Sequence, residues 1–390
     1  MTRPATAAIS APTLVVDESL PAKWPDQTFL ASPAWLEMMG DRPPGRGYYF
    51  RLVQDGITLA ATTGYLIDDQ ECYESFNIHD LMWRDPPVFP DQRRTYVRPP
   101  ERDTSFPFLA IVQPGYDADV VADAVHHHLT AEERVHDLLT AVTEWARRAG
   151  AVCAAVLYAS GPVLPAVLGA DPSWYRVRGT VRSVLDVPAG DFDDYVAGLT
   201  KTSRQKVRWD LRDLSVAGVR TTRADGARLG SAEVRLRMNL IEKYGGYSTR
   251  DIERSRLERL LSLFPPERLH LFHSSTRDDE ILAFSLFIAH GDQWHVFWCG
   301  FDYENPASRR TYFDVMFYSP VRAAQAEGIR TIDYGLGYEQ SKKWRGCRGA
   351  QRDIWVIDLS GNLTPSFEAA LRHGEPELTP ADARDTDAGT

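Results

Sequence analysis

Residues 331–346 read TIDYGLGYEQSKKWRG. A β-branched run ends at Asp333 and Tyr334, opens through Gly335 and Gly337, and closes on Lys342, Lys343, Trp344, Arg345 and Gly346. The stretch reads as a nucleotide loop, a structural turn or the floor of an active site. Gly-Leu-Gly lacks the long helix that a dinucleotide-binding glycine loop must open. Nor does it match G-x-x-x-x-G-K-[ST]. What remains is a turn leaving a strand, which carries two lysines towards whatever that strand faces.

Working outward, 329–337 is a strand and 309–328 a helix, with Ser308 as N-cap and Gly328 as stop. Before it, ERLHLFHSS and EILAFSLFIAHGDQWHVFWCGFD predict three antiparallel strands. Residues 232–246 predict a helix capped by Ser231, and 191–218 two helices broken near Thr200 and ended by Gly218. Strands at 182–187 and 352–359 bound this half. The first half follows a similar order. It has a short helix at 32–40 with Ser32 as cap and Pro33 at its first position, then a hairpin over 47–68 around Gln-Asp-Gly. A Pro/Arg-rich loop at 84–107, a strand at 106–115, a helix at 131–150 and a buried strand at 151–159 complete it. An α/β (α+β) order used twice implies two copies of one fold, meeting near Trp174 to Gly179. The expected division is a disordered tail 1–23, a first domain 24–175, a second domain 176–362 carrying the active site, and a disordered acidic tail 363–390.

The 390 residues, 43% hydrophobic and 25% charged, suit a globular protein with two cores. There is no apolar run of about 18 residues to cross a membrane. Cys72, Cys153, Cys299 and Cys347 are far apart, which argues against a zinc site or disulfide framework and for a reducing, cytoplasmic setting. His126, His127 and His128 point three ways on a helix, so a solvated face is expected there and no metal. The net charge of −10 is uneven, since 176–352 is mildly basic and the rest acidic.

FDDYVAGLTKTSRQKVRWDLRDLSVAGVRTT, followed some way on by TIDYGLGYEQSKKWRGCRGA, resembles the FemAB-like (BioF2-like) branch of the GNAT acyltransferases, tandem-GNAT proteins that include the peptidoglycan-bridge aminoacyltransferases. The positions that carry the likeness are Lys201, Arg204, Arg208 and Gly218, then Asp333, Tyr334, Gly335, Lys342, Lys343, Trp344 and Gly346, within 180–358. The resemblance implies two GNAT-like domains, each a mixed, mostly antiparallel sheet flanked by helices. It also implies transfer of an acyl or aminoacyl group from an activated donor to an amine. That donor is a co-substrate, aminoacyl-tRNA or acyl-CoA, and no cofactor is expected. The fourth and fifth strands, here 293–302 and 331–337, would splay into a cleft.

Acyl transfer needs a polarised carbonyl, a neutral amine and near-attack placement. No G-x-S-x-G elbow or recognisable catalytic cysteine motif implies a covalent nucleophile. Lys342 or Lys343 could stabilise an oxyanion or a donor phosphate, and two solvated loop lysines are the plainer alternative. Asp333 and Glu339 are candidate bases and Tyr334 a candidate donor to the leaving group. Strand alternation puts Asp333 and Tyr334 on opposite faces, so at most one enters the site. The glycine-rich pyrophosphate turn of acyl-CoA enzymes is replaced by DYENPASRRTYF, which leaves Arg309 and Arg310 at a helix start as candidate phosphate ligands. Arg204 and Arg208 share one helix face and, with Trp344, are candidates for the donor. Tyr244, Tyr247 and Trp298 are candidates for the acceptor, with the glycines at 245–246 readable equally as a helix cap. The expected activity is amide formation on a small amine from aminoacyl-tRNA, in natural-product or cell-wall precursor biosynthesis. Acyl-CoA-dependent transfer, or a non-catalytic GNAT that binds a ligand or partner, are the alternatives. The first half is expected to lack its own catalytic cluster and to act as scaffold or as part of the substrate cleft.

Overall fold

The computed structural model describes residues 10–84, 88, 100–121, 128–337 and 340–372. Most of the Pro/Arg-rich stretch, His126, His127, Glu339 and the end from 373 lie outside the described residues. Contacts divide the chain into two compact units, 1–180 with 351–390, and 181–350.

The first unit contains β1 (Thr13–Asp17), β2 (Arg46–Gln54), β3 (Ile57–Ile67), β4 (Phe108–Ile111) and β5 (Cys153–Ala159), in that spatial order. Its helices are α1 (Pro33–Met39), α2 (Ile78–Trp83), α3 (Ala131–Arg148) and α4 (Val163–Ala170). The turn between β2 and β3 has positive φ at both Asp55 and Gly56, the conformation a tight hairpin demands. Ser32 caps α1 through the Trp35 N–H. The loose tail expected over 1–23 is corrected here. Thr13–Asp17 pairs along Tyr49–Val53, because Leu14 and Val16 pack on the core and Asp17 binds Arg51 at 2.9 Å. The disorder expected from 363 is corrected for residues 364–372. Residues Thr364–Arg372 form a helix whose Phe367 is buried beside Trp83.

After β6 (Tyr175–Asp186), the second unit runs α5 (Phe192–Gly198), α6 (Lys201–Ala217), β7 (Arg220–Asp225), α7 (Ser231–Lys243), α8 (Arg250–Leu263), β8 (Leu269–Ser275), β9 (Ile281–His290) and β10 (Gln293–Phe301). The first of the paired helices ends at Gly198 with Leu199 as its cap, and Thr200 caps the second. Gly218 closes α6 at φ 69°. Ser231 lies inside α7 rather than before it; Gly230 is the cap, and the Glu233 side chain accepts its N–H. The long helix expected over 309–328 is also different. It begins at Thr311 as α9 (Thr311–Phe313), passes through a π-helical turn at Asp314–Tyr318, and ends as α10 (Ser319–Ala326). β11 (Thr331–Leu336), α11 (Gln340–Lys343) and β12 (Arg348–Asp358) follow, and α12 (Thr364–Arg372) is last.

Each unit repeats one plan, antiparallel strands ending in one parallel pair and then one antiparallel neighbour. In the first unit β4 runs parallel to β5, and β5 pairs antiparallel with β12. In the second, β7-β8-β9-β10 are antiparallel, β10 runs parallel to β11, and β11 pairs antiparallel with β6. The strand that follows β5 in sequence, β6, therefore serves β11, and the chain's last strand serves β5. This exchange is why the closing strand groups with the first half of the sequence.

Candidate active site

β10 and β11 pair only from Gln293/Thr331 to His295/Asp333. Beyond that, β10 carries an irregularity between Val296 and Trp298, which re-aims the strand. The two strands part, and a cleft of about 870 Å³ occupies the gap. Val296 to Cys299 on β10 and Tyr334 on β11 line it. Helix α7 closes one wall by packing directly on β10. A Cβ at Gly300 would come within 2.4 Å of the Leu236 carbonyl carbon, so only glycine permits the approach.

Strand alternation sorts the acid from the phenol. Tyr334 is 3% exposed and lines the cleft, and its hydroxyl has no hydrogen-bond partner among the described residues. Burial pushes the phenol well above its ordinary pKa, so it stays protonated. Asp333 is not among the cleft-lining residues. Its carboxylate receives Arg182 Nε at 2.6 Å and the Gly335 N–H at 2.8 Å, with His295 Nδ1 3.5 Å away. Burial alone would raise its pKa, but Arg182 and His295 hold it well below the usual carboxylate range. A carboxylate so held is a poor proton acceptor.

The two lysines separate. Lys342 is 7% exposed and lines the cleft. Its ammonium donates to the carbonyls of Tyr334, Leu336 and Gly337 at 3.2, 2.9 and 3.1 Å, folding the strand exit around a positive charge. Lys343 points to solvent. Trp344 is half-buried under the Lys206 ammonium, 3.9 Å from its ring centre.

The turn is anchored by Arg345, a residue that sequence reasoning passed over. It is 2% exposed, and its Nη2 meets Asp210 Oδ2 at 2.5 Å. The same oxygen accepts the Tyr318 hydroxyl at 2.6 Å, and Arg345 lies 3.7 Å over the Phe313 ring. Asp210 was legible. Ser203, Val207, Asp210 and Leu214 form the buried face of α6 at helical spacing, so an acid there needed a buried partner.

Arg309 and Arg310 both line the cleft at the start of α9. Arg309 is exposed. Arg310 adopts φ 75° and is steered by Asp210 and Asp213 at 3.4 and 3.5 Å. Trp298 is buried in the cleft wall, and Tyr244 stands at its rim. Tyr247 is 91% exposed and does not line it, and Gly245 and Gly246 close the end of α7 on the Glu242 and Ile241 carbonyls. Arg204 and Arg208 lie outside the cleft. Arg204 donates to the Ala197 and Leu199 carbonyls, joining α5 to α6, and Arg208 is exposed. Arg237, also passed over in the sequence, does line the cleft, as does Lys243.

Against known proteins, residues 201–343 match the family described as acetyltransferase (GNAT) domain. The crystal structure of FemX superposes with a TM-score of 0.56 at 12% identity, covering 88% of this chain and 96% of that one. L-PGS from Bacillus licheniformis gives 0.49 at 11% identity, over 92% of this chain and 100% of that one. A tandem GNAT protein from the clavulanic acid biosynthesis pathway gives 0.43 at 10%, over 84% and 94%. Among curated protein sequences none matches this chain. The fold is thus FemX-like, and the acetyltransferase (GNAT) domain model matches within the second unit.

Proposed function

We propose that the chain is an N-acyltransferase that forms an amide on a small amine within the cleft between β10 and β11, with aminoacyl-tRNA as donor. The observation that carries this is the parting of the two strands beside the Lys342 ammonium and a buried Tyr334 hydroxyl that has no hydrogen-bond partner among the described residues. In this reading the acceptor nitrogen attacks the donor carbonyl carbon, and the Lys342 charge stabilises the oxyanion. As the tetrahedral adduct collapses, the bond to the leaving oxygen breaks and that oxygen takes the Tyr334 proton. The proton lost by the amine returns to the tyrosinate through water. Arg309 and Arg310 hold donor phosphate by charge, in place of a glycine-rich turn. The first unit serves as scaffold. Among the described residues no helix is long and apolar enough to cross a membrane, which fits a cytoplasmic setting.

Acyl-CoA is the second reading for the donor. It is favoured by Arg204, whose guanidinium is spent on backbone carbonyls and not offered to a polyanion. The test is to give the pure protein charged-tRNA and acyl-CoA pools in parallel and look by mass spectrometry for a new amide. A tRNA donor predicts product that RNase abolishes, and affinity falling about ten- to a thousandfold between 50 and 200 mM salt for two to five phosphate contacts. Activity that survives RNase but needs CoA establishes the second reading. No amide from either pool leaves a non-catalytic binding protein.

A further inference from the structure

The cleft is lined by five cations, Arg237, Lys243, Arg309, Arg310 and Lys342, against one acid among the described residues, Asp302. That acid already faces Arg235 at 3.4 Å and accepts the N–H groups of Glu304 and Asn305. Of the five, Arg310 is matched by carboxylates outside the cleft. Lys342 is held by carbonyls, and Lys243 lies over the Tyr303 ring at 3.7 Å, so neither charge is neutralised by these contacts. A cleft of this sign repels an ammonium and lowers its pKa, which helps to produce the free amine without a carboxylate base. It also penalises any acceptor whose only charge is that ammonium.

Arg237 is placed to offset that penalty. It enters from α7, where Gly300 lets the helix close on β10. Its side chain is about a quarter exposed, and its Nε, buried without a hydrogen-bond partner among the described residues, lies 3.8 Å from Glu253 Oε2. Glu253 is fully buried and fixed by the Ser248 hydroxyl at 2.6 Å and by Arg256. The guanidinium is therefore oriented from behind while its charge is shared with a competitor. Arg237 and Lys342 both bear on the Cys299 thiol, whose pKa burial pushes up to about 11 against their pull. Arg237 lines the same cleft as Tyr334 and Lys342 and enters it from α7, whereas Arg309 and Arg310 stand at the turn into α9.

Resting on the acyl-transfer reading, we propose that the acceptor is an amine that also carries a carboxylate, an amino acid or short peptide, and that Arg237 receives that carboxylate. A planar guanidinium matches a carboxylate through two parallel N–H bonds. The paired anion cancels the repulsion between the cleft and the incoming amine.

The experiment uses the full chain with whichever donor yields amide. A panel of amino acids and dipeptides is compared with the same compounds as C-terminal amides. Wild-type kcat/KM should favour the carboxylates by at least about tenfold, the scale of losing a hydrogen bond to a charged group. Arg237→Ala should bring that ratio close to one, and Arg237→Lys should keep part of it. Arg309→Ala should move the donor KM and leave the ratio alone. If Arg237→Ala does not fold, the wild-type panel and Arg237→Lys still decide. Equal use of amides by the wild type overturns the proposal while leaving acyl transfer intact. So does a preference for aminomethylphosphonate over glycine. The absence of product from every pair removes the acyl-transfer reading itself.

Discussion

Both units contain one parallel strand pair, and the two pairs end differently. In the first unit β4 stays paired with β5 along Phe108–Ile111, and the chain then folds back over the gap beyond. The Ala118 N–H bonds the Tyr158 carbonyl and the Ser160 N–H bonds the Ala118 carbonyl, extending the sheet where a cleft would open. Gln113 fastens this plug through the Asp119 carbonyl and N–H, and the Ser160 hydroxyl binds Asp117. In the second unit nothing comparable among the described residues fills the gap between β10 and β11, and aromatic and basic side chains line it instead. One fold used twice thus supplies a sealed copy and an open one. What separates them is the segment after the first strand of the parallel pair, Gln113–Asp119 in one and Asp302–Arg310 in the other.

The comparison can be broken by substitutions on each side. The largest effect is expected from Arg345→Met. It leaves the Asp210 carboxylate buried without its main partner, a loss of about 3–5 kcal/mol of stability readable in denaturant melts. Next, Lys342→Ala should lower turnover by roughly a hundredfold, the scale of losing electrostatic stabilisation of the oxyanion, while Lys343→Ala stays near wild type. Equal losses from the two would remove the distinction between buried and solvent-facing lysine. Tyr334→Phe deletes a hydroxyl that has no hydrogen-bond partner among the described residues. Turnover should fall by about tenfold or more with the melting temperature unchanged or raised.

On the sealed side, Gln113→Ala should cost about 1–3 kcal/mol by stripping buried polar groups of their partners, with turnover unaffected. The smallest effect concerns pH. Burial raises the Asp119 pKa to about 6, with Asp117 adding to the shift. Between about pH 4 and 6 the folded state then binds more protons than the unfolded chain, so this group's contribution to stability falls as pH rises. Asp119→Asn should remove about 1–2 kcal/mol of that slope in melts across the range. An unchanged slope would mean that another group titrates there.

Much of this contrast was legible in the sequence. The doubled element order, the break at Thr200 and the sorting of Asp333 from Tyr334 follow from hydrophobic period, capping and strand alternation. The exchange of β6 and β12 was not, because either strand's alternation suits either parallel pair. The π-helical turn at Asp314–Tyr318 reads as ordinary helix in composition. Arg345 and Arg237 were hidden by a different cause. A lone arginine in a basic stretch reads as solvated until its buried partner, Asp210 or Glu253, is placed opposite it.

The central claim is that chemistry belongs to the open copy. It is tested most directly by a crystal structure of the protein with a non-hydrolysable analogue of whichever donor supports amide formation. The account predicts the donor carbonyl between β10 and β11, within hydrogen-bond reach of Tyr334 and facing Lys342, with its phosphate at Arg309 and Arg310. A donor bound wholly within residues 24–175 would contradict it.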